Sequence, residues 1–259
     1  MNETPSGRQE LESFTVLGVR IHATNLAAAC RTVEEWIRTR TRTYVCVAPV
    51  STVMDCQDDP QYREIVNNAG MTTPDGMPLV WIGRRRGHAD IQRTYGPDLM
   101  LALCDMSQRT GFRHYFYGGT GESLARLAQR LMKMFPALNI AGSHAPGMLG
   151  IGERESDSVL EKINHCRPDI LWVGLGSPKQ DYWMSLHRER LDVPVIIGAG
   201  AAFDFHAGNK PQAPRWMQRS GLEWLFRFCC EPRRLWRRYL VGNTRFIFLL
   251  LREMACGGR

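Results

Sequence analysis

Pro168-Asp169-Ile170-Leu171-Trp172-Val173-Gly174-Leu175-Gly176-Ser177-Pro178-Lys179-Gln180-Asp181 is the stretch that decides the fold. Its first half is a short, continuous apolar run, the pattern of a strand buried on both faces. Its second half turns on glycines and reaches Ser177, suited to a helix N-cap, and Pro178, suited to the first helical position. Strand, glycine turn and helix start in that order make half of a βαβ unit.

The same alternation extends in both directions. Strands are expected at 14–19, 43–48, 71–73, 114–117, 138–141 and 193–197, most of them followed by Gly-, Pro- or Ser-containing turns. Between them lie segments of helical period, such as 24–40, where Leu26, Cys30, Val33 and Ile37 recur at spacings of three and four and Thr24 or Asn25 supplies the cap. Strands joined by helices of this length require a parallel sheet covered on both faces. The expected fold is therefore α/β: a Rossmann-like, mostly parallel sheet with helices on both faces over residues 14–210. A polar tail (1–13), expected to be disordered, precedes it, and a basic helical appendage (211–259) follows.

With 259 residues and 44% apolar content the chain can bury an ordinary core. Its net charge of +7 suits anionic partners without choosing among them. The eight cysteines show neither a CxxC pair nor a Cys/His cluster, and several sit in apolar runs. They read as small buried hydrophobes in a reducing compartment, with no metal site. Residues 1–13 lack the features of a secretory signal, and the longest apolar run near the end, 246–251, falls far short of the roughly 20 residues that span a bilayer.

In open α/β sheets, ligands bind beyond the carboxyl ends of strands, which directs attention to four loops. Thr73-Pro74-Asp75-Gly76 places a carboxylate between a proline and a glycine, a setting for a fixed, exposed general base and equally for an Asp bonding its own backbone. Tyr117-Gly118-Gly119-Thr120-Gly121 brings backbone N–H groups and a helix start to where phosphate oxygens can lie, although glycines also serve a tight turn. Lys179 and Gln180 project from a first helical turn, where a cation and an amide can meet phosphate or sugar hydroxyls. The small-residue run Gly198-Ala199-Gly200-Ala201-Ala202 lets a ligand lie against backbone; Asp204 beyond it can accept from sugar hydroxyls, while His206 reads as a packed core histidine.

Read together, Thr73-Pro74-Asp75-Gly76, Arg93-Thr94-Tyr95-Gly96-Pro97-Asp98-Leu99, Phe116-Tyr117-Gly118-Gly119, Gly174-Leu175-Gly176-Ser177-Pro178-Lys179-Gln180 and Gly198-Ala199-Gly200-Ala201-Ala202-Phe203-Asp204 resemble the WecG/TagA/CpsF glycosyltransferases, glycosyltransferase family 26, over roughly residues 14–250. The resemblance implies an inverting, metal-independent transferase that uses no cofactor. Its donor would be a UDP-sugar carrying a hexose or N-acetylhexosamine, and its acceptor a sugar on polyprenyl pyrophosphate, in bacterial surface or exopolysaccharide synthesis. By position it implies Asp75 as catalytic base with Arg93 and Gln180 as polar partners. It adds Thr73, Asp98, Gly118, Gly119, Lys179, Gly200 and Asp204 as substrate-binding candidates. One departure is Cys46-Val47-Ala48-Pro49-Val50-Ser51-Thr52, where many relatives carry a Thr-x-Asn pair.

Residues 215–245 hold eight arginines against two acids, Glu223 and Glu231, with aromatics interleaved. Such a segment suits the surface of an anionic membrane, with Arg215, Arg219, Arg233, Arg234 and Arg237 as candidate contacts to lipid or pyrophosphate. The expected location is cytoplasmic, peripheral to the inner face of the cell membrane. No helix-turn-helix, zinc-finger or RNA-recognition signature accompanies the arginines, so no nucleic-acid partner is expected. Two other classes stay open on the residues alone. A nicotinamide-dependent oxidoreductase would need a GxGxxG turn at the first helix, which is missing; a non-catalytic basic membrane-binding module would leave the strand-end loops without a role.

Overall fold

The computed structural model of the protein describes residues 11–256, so most of the expected tail lies outside the described residues. β1 (Ser13–Val16) and β2 (Val19–His22) pair antiparallel. β3 (Thr43–Ala48), β4 (Met71–Pro74), β5 (Arg113–Gly118), β6 (Asn139–His144), β7 (Ile170–Gly174) and β8 (Val195–Gly198) form a parallel sheet in the order β4-β3-β8-β7-β5-β6.

The helices up to the middle of the chain are α1 (Leu26–Arg38), α2 (Val50–Asp58), α3 (Pro60–Asn67), α4 (Met77–Arg85), α5 (Gly96–Thr110) and α6 (Gly121–Met134). They continue with α7 (Asp157–His165), α8 (Lys179–His187), α9 (Ala202–Ala207), α10 (Arg215–Arg219), α11 (Glu223–Cys230), α12 (Pro232–Trp236) and α13 (Gly242–Cys256), with a wider π turn at Arg237–Val241.

The two-residue period of each strand sorts its side chains between two cores. Val45, Phe116, Ile170, Trp172, Val195 and Ile197 face the layer of α1, α5, α6 and α9. Their neighbours Tyr44, Cys46, Tyr115, Tyr117, Leu171, Val173 and Ile196 face α7 and α8. The Rossmann-like α/β sheet with helices on both faces is thus present.

The single strand expected at 14–19 is instead a hairpin. Leu17 and Gly18 take φ of 50° and 79°, the left-handed pair that a two-residue turn needs, and Gly18 meets it without a side-chain clash. Phe14, Val16, Val19 and Ile21 then pack as one apolar face against Val53, Tyr62, Leu79 and Phe246. The turn interrupts the apolar alternation by only two residues, which is why the sequence read as one strand. Elsewhere the differences are of a residue or two. Asn25 rather than Thr24 caps α1, its side chain accepting from Ala28 N–H at 2.9 Å. α8 starts at Lys179, with Pro178 and not Ser177 in the cap position.

Two buried histidines make the fold sensitive to acid. His114 Nδ1 accepts from Trp172 Nε1–H at 2.9 Å, so the proton sits on Nε2, 2.8 Å from Ser107 Oγ. Burial lowers its pKa from 6.5 to about 3. His22 is lowered to about 4, by burial and then by the charge of Arg20, while its Nδ1 accepts from Thr72 N–H at 2.8 Å. The unfolded chain takes up these protons near pH 6.5, so the stability that the neutral rings contribute is whole above that pH and is lost as pH falls towards 4 and 3. Each ring adds at most about 1.4 kcal/mol per pH unit to that slope. Other groups titrate in the same range, so the test is a difference: as pH falls from about 6 to 4, His114→Gln should lose up to about 1.4 kcal/mol less per pH unit than the wild type in urea unfolding, and an equal loss would refute the assignment.

Candidate active site

β4 ends at Pro74, and the next residue, Asp75, continues the ladder by donating its N–H to Ala48 O at 3.1 Å. Thr94 N–H donates to Pro74 O at 2.9 Å, and the Thr73 hydroxyl donates to Thr94 O at 3.2 Å. Residues 92–95 are thereby laced to the strand end. Thr73, suggested as a substrate contact, is fully buried and acts as part of this lacing.

The lacing brings Arg93 to Asp75. Arg93 Nε donates to Asp75 O, and its Nη2 lies 3.3 Å from Asp75 Oδ1 while also bonding Glu223 Oε2 at the start of α11. The guanidinium stacks on Tyr95, 3.9 Å from the ring centroid. Tyr95 in turn lies 6.4 Å from the Phe205 ring of α9. The sequence suggested an exposed Asp75; its side chain is only 17% exposed, because α11 of the appendage and Arg93 cover it.

Burial pushes the Asp75 carboxyl up to about 6; the Glu223 charge adds to the rise, and Arg93 and Arg227 oppose it. Burial disfavours the charged form of Arg93, but Asp75 and Glu223 more than offset this and raise its pKa, so it stays a cation between two carboxylates. A carboxyl titrating near 6 is poised to hold or release a proton near neutral pH. Asp75 forms part of the wall of a cavity of about 1210 Å³ that runs between α4 and the appendage, with Pro49, Ser51, Arg93 and Arg227 among its other lining residues.

The structure gives Gln180 a loop-tying role. Its buried amide oxygen accepts from Gly176 N–H at 3.2 Å and Gly200 N–H at 2.9 Å, and its Nε2 donates to Ser177 Oγ at 3.2 Å. One side chain thus ties the β7–α8 loop to the β8–α9 loop. A Cβ on Gly198 would come within 2.8 Å of Gln180 Nε2, so the close approach needs a glycine there. Gln180→Leu leaves two backbone N–H groups without their acceptor; about 2–4 kcal/mol of stability should be lost in chemical denaturation. A loss under about 0.5 kcal/mol would show that the amide carries no such load.

The remaining candidates fall into two groups. Gly118 takes φ 129°, and a Cβ there would meet the Gly174 carbonyl at 2.7 Å, so β5 can leave the sheet only as glycine. With Gly119 it leads into α6, where Thr120 accepts from Ser123 N–H at 3.2 Å. Asn209 Nδ2 bonds Ser123 Oγ and lies 3.2 Å from Asp204 Oδ1, and Lys210 Nζ lies 3.2 Å from Asp204. The glycine turn and Asp204 therefore share one edge. His206, read as a core histidine, is half-buried and 3.0 Å from Pro97 O.

Asp98 pairs with Arg215 at 3.1 Å at the start of α5, and Lys179 is half-buried at the start of α8. Among the appendage arginines, Arg215, Arg219, Arg233, Arg234 and Arg237 are exposed and do not line the cavity; Arg227 and Arg238 do. Arg234 pairs with Glu231, and Arg237 lies 5.2 Å from the Trp236 ring centroid. Glu223, Arg227 and Tyr95 had not been singled out. For Glu223 a signal was present: it is one of two acids in a run of arginines.

The family described as Glycosyl transferase WecG/TagA/CpsF matches residues 14–258. The chain belongs to that family. Among its relatives is an N-acetylglucosaminyldiphosphoundecaprenol N-acetyl-beta-D-mannosaminyltransferase of Bacillus spizizenii, 31% identical over 186 residues, 72% of this chain and 70% of the relative. Enzymes of the same name from Bacillus subtilis (28% identical, covering 75% of this chain and 73% of the relative) and Staphylococcus aureus (25%, covering 75% and 72%) also match. Membership makes the protein a glycosyltransferase and sets aside the oxidoreductase and the non-catalytic module. Among the described residues no helix is long and apolar enough to cross a membrane, and no group of three or more His, Cys, Asp or Glu is placed to hold a metal ion.

Proposed function

We propose that the chain is an inverting transferase that moves an N-acetylhexosamine-type sugar from a UDP-sugar to a sugar on polyprenyl diphosphate, working at the cytoplasmic face of the membrane. The carrying observation is Asp75: a strand-end carboxyl in the wall of a large cavity, titrating near 6 and flanked by Arg93 and Arg227. The acceptor class is supported by the names of the relatives, which act on N-acetylglucosaminyldiphosphoundecaprenol.

In a single displacement the Asp75 carboxylate takes the proton of the acceptor hydroxyl as that oxygen bonds to the anomeric carbon. The bond from that carbon to the UDP oxygen breaks, and its electron pair leaves with UDP. Attack from the face opposite the leaving group inverts the centre. Charge growing on the UDP diphosphate calls for a fixed donor beside Asp75, for which the Arg93 guanidinium is the candidate. Gln180 holds two strand-end loops in register for this, and Asp204 is the candidate for donor hydroxyls.

A panel of UDP-sugars offered with N-acetylglucosamine diphosphate-linked prenol, read by product mass and anomeric configuration, tests the proposal. Transfer of one N-acetylhexosamine with inversion is expected; retention of configuration, or UDP release that ignores the acceptor, would overturn it.

A further inference from the structure

The cavity that begins at Asp75 is larger than a sugar needs and changes character along its walls. About 1210 Å³ exceeds the roughly 300–1,000 Å³ of an ordinary small-molecule pocket. Asp75 and Arg93 belong to its polar part, and Arg227 and Arg238 add cations. α4 contributes Trp81 and Ile82 to the apolar walls, and α13 contributes Ile247, Leu250 and Met254. Trp81, Ile247 and Met254 are 52%, 57% and 47% exposed, so large apolar side chains line an open groove rather than a packed core.

Cations and a carboxylate sharing one cavity with an apolar groove complement an amphiphile with a diphosphate head and a hydrocarbon tail. A flat membrane face would need the arginines but not two facing apolar walls. We propose that this groove seats the first isoprene units of the acceptor's lipid carrier, so that the enzyme grips the prenyl chain as well as the diphosphate. The proposal rests on the transferase reading and adds a binding subsite to it. Trp81 on one wall and Ile247 on the other are the residues that would touch the chain. Each isoprene unit moved from water onto them removes several apolar carbons from solvent, so affinity should climb with chain length until the groove is full.

Isothermal titration of the full chain with isoprenyl diphosphates that carry no sugar tests the groove without relying on catalysis. Farnesyl diphosphate should bind at least about tenfold more tightly than dimethylallyl diphosphate, both below their critical micelle concentrations. In Trp81→Ala and in Ile247→Ser that ratio should fall close to one, whereas Trp81→Phe should keep it. Both positions are exposed, and circular dichroism verifies that each variant is folded.

A ratio of one in the wild type, or a ratio that survives both variants, overturns the groove even if sugar transfer is robust. Equal competition by an alkyl phosphocholine of matched length also overturns it, in favour of a bilayer lipid. Chain-length preference that the variants abolish, in a protein that transfers no sugar from any UDP-sugar, leaves the groove standing and removes the UDP-sugar donor from the proposed function.

Discussion

Asp75→Asn is expected to lower kcat by about 10³-fold, within the range that loss of a positioned general base produces, and at the same time to make the protein more stable. The two effects share one cause. Folding carries the Asp75 carboxyl from its ordinary value of 3.8 to about 6, chiefly by burial. Below pH 3.8 the group is protonated in both states and contributes nothing. Between 3.8 and 6 the unfolded chain ionises first, so stability is lost as pH rises, and above 6 the full penalty stands, on the order of 2–3 kcal/mol.

Asparagine keeps the shape and one acceptor for Arg93 but carries no charge, so it escapes that penalty. At neutral pH the variant should melt several degrees higher than the wild type in calorimetry. A carboxylate kept for structure predicts the opposite sign. In the wild type, kcat should rise with pH through an apparent pKa near 6, since only the ionised form accepts the proton. A variant that retains full turnover, or that is less stable while inactive, would remove Asp75 from the base role.

Why the sequence disclosed some of this and not the rest can be followed residue by residue. The strands that build the sheet, such as 170–174 and 43–48, are covered on both faces, so an unbroken apolar run carried their identity. The hairpin at 13–22 escaped because its turn, Leu17-Gly18, interrupts the alternation by only two residues. Asp75 and Arg93 were legible through motif order, since both sit in loops whose glycines and prolines are fixed by backbone geometry.

Glu223 was not, because its role depends on a contact across 130 residues that no local pattern encodes. The appendage arginines show the same limit. Composition counted them but could not say that Arg227 and Arg238 line the cavity while Arg233 and Arg234 stay exposed. Gln180 was found for a reason different from its structural one: a position expected to meet substrate holds two loops together.

Arg93→Ala should be strongly destabilising. Arg93, Asp75 and Glu223 are 15%, 17% and 12% exposed, so removing the cation leaves two nearly buried carboxylates facing each other. Breaking a buried ionic set by deleting one partner costs about 3–5 kcal/mol, most of it the cost of the charges left behind. The incomplete burial places the expectation near the lower end, about 3 kcal/mol, read from urea unfolding.

The same deletion removes the largest charge effect holding the Asp75 pKa down, so its kinetic pKa should move well above 6 and turnover at neutral pH should fall with it. Adding Glu223→Gln to Arg93→Ala removes one of the stranded charges and the repulsion that helps raise Asp75. The double variant should therefore recover part of the stability and bring the kinetic pKa back towards 6, yet stay slow if the guanidinium also stabilises the leaving diphosphate. In a double-mutant cycle this appears as a coupling of about 1–3 kcal/mol between positions 93 and 223. Additive effects would mean that Glu223 and Arg93 do not act as a unit, and that the appendage is held over Asp75 by its other contacts, such as Arg215 to Asp98 and Arg245 to Asp58.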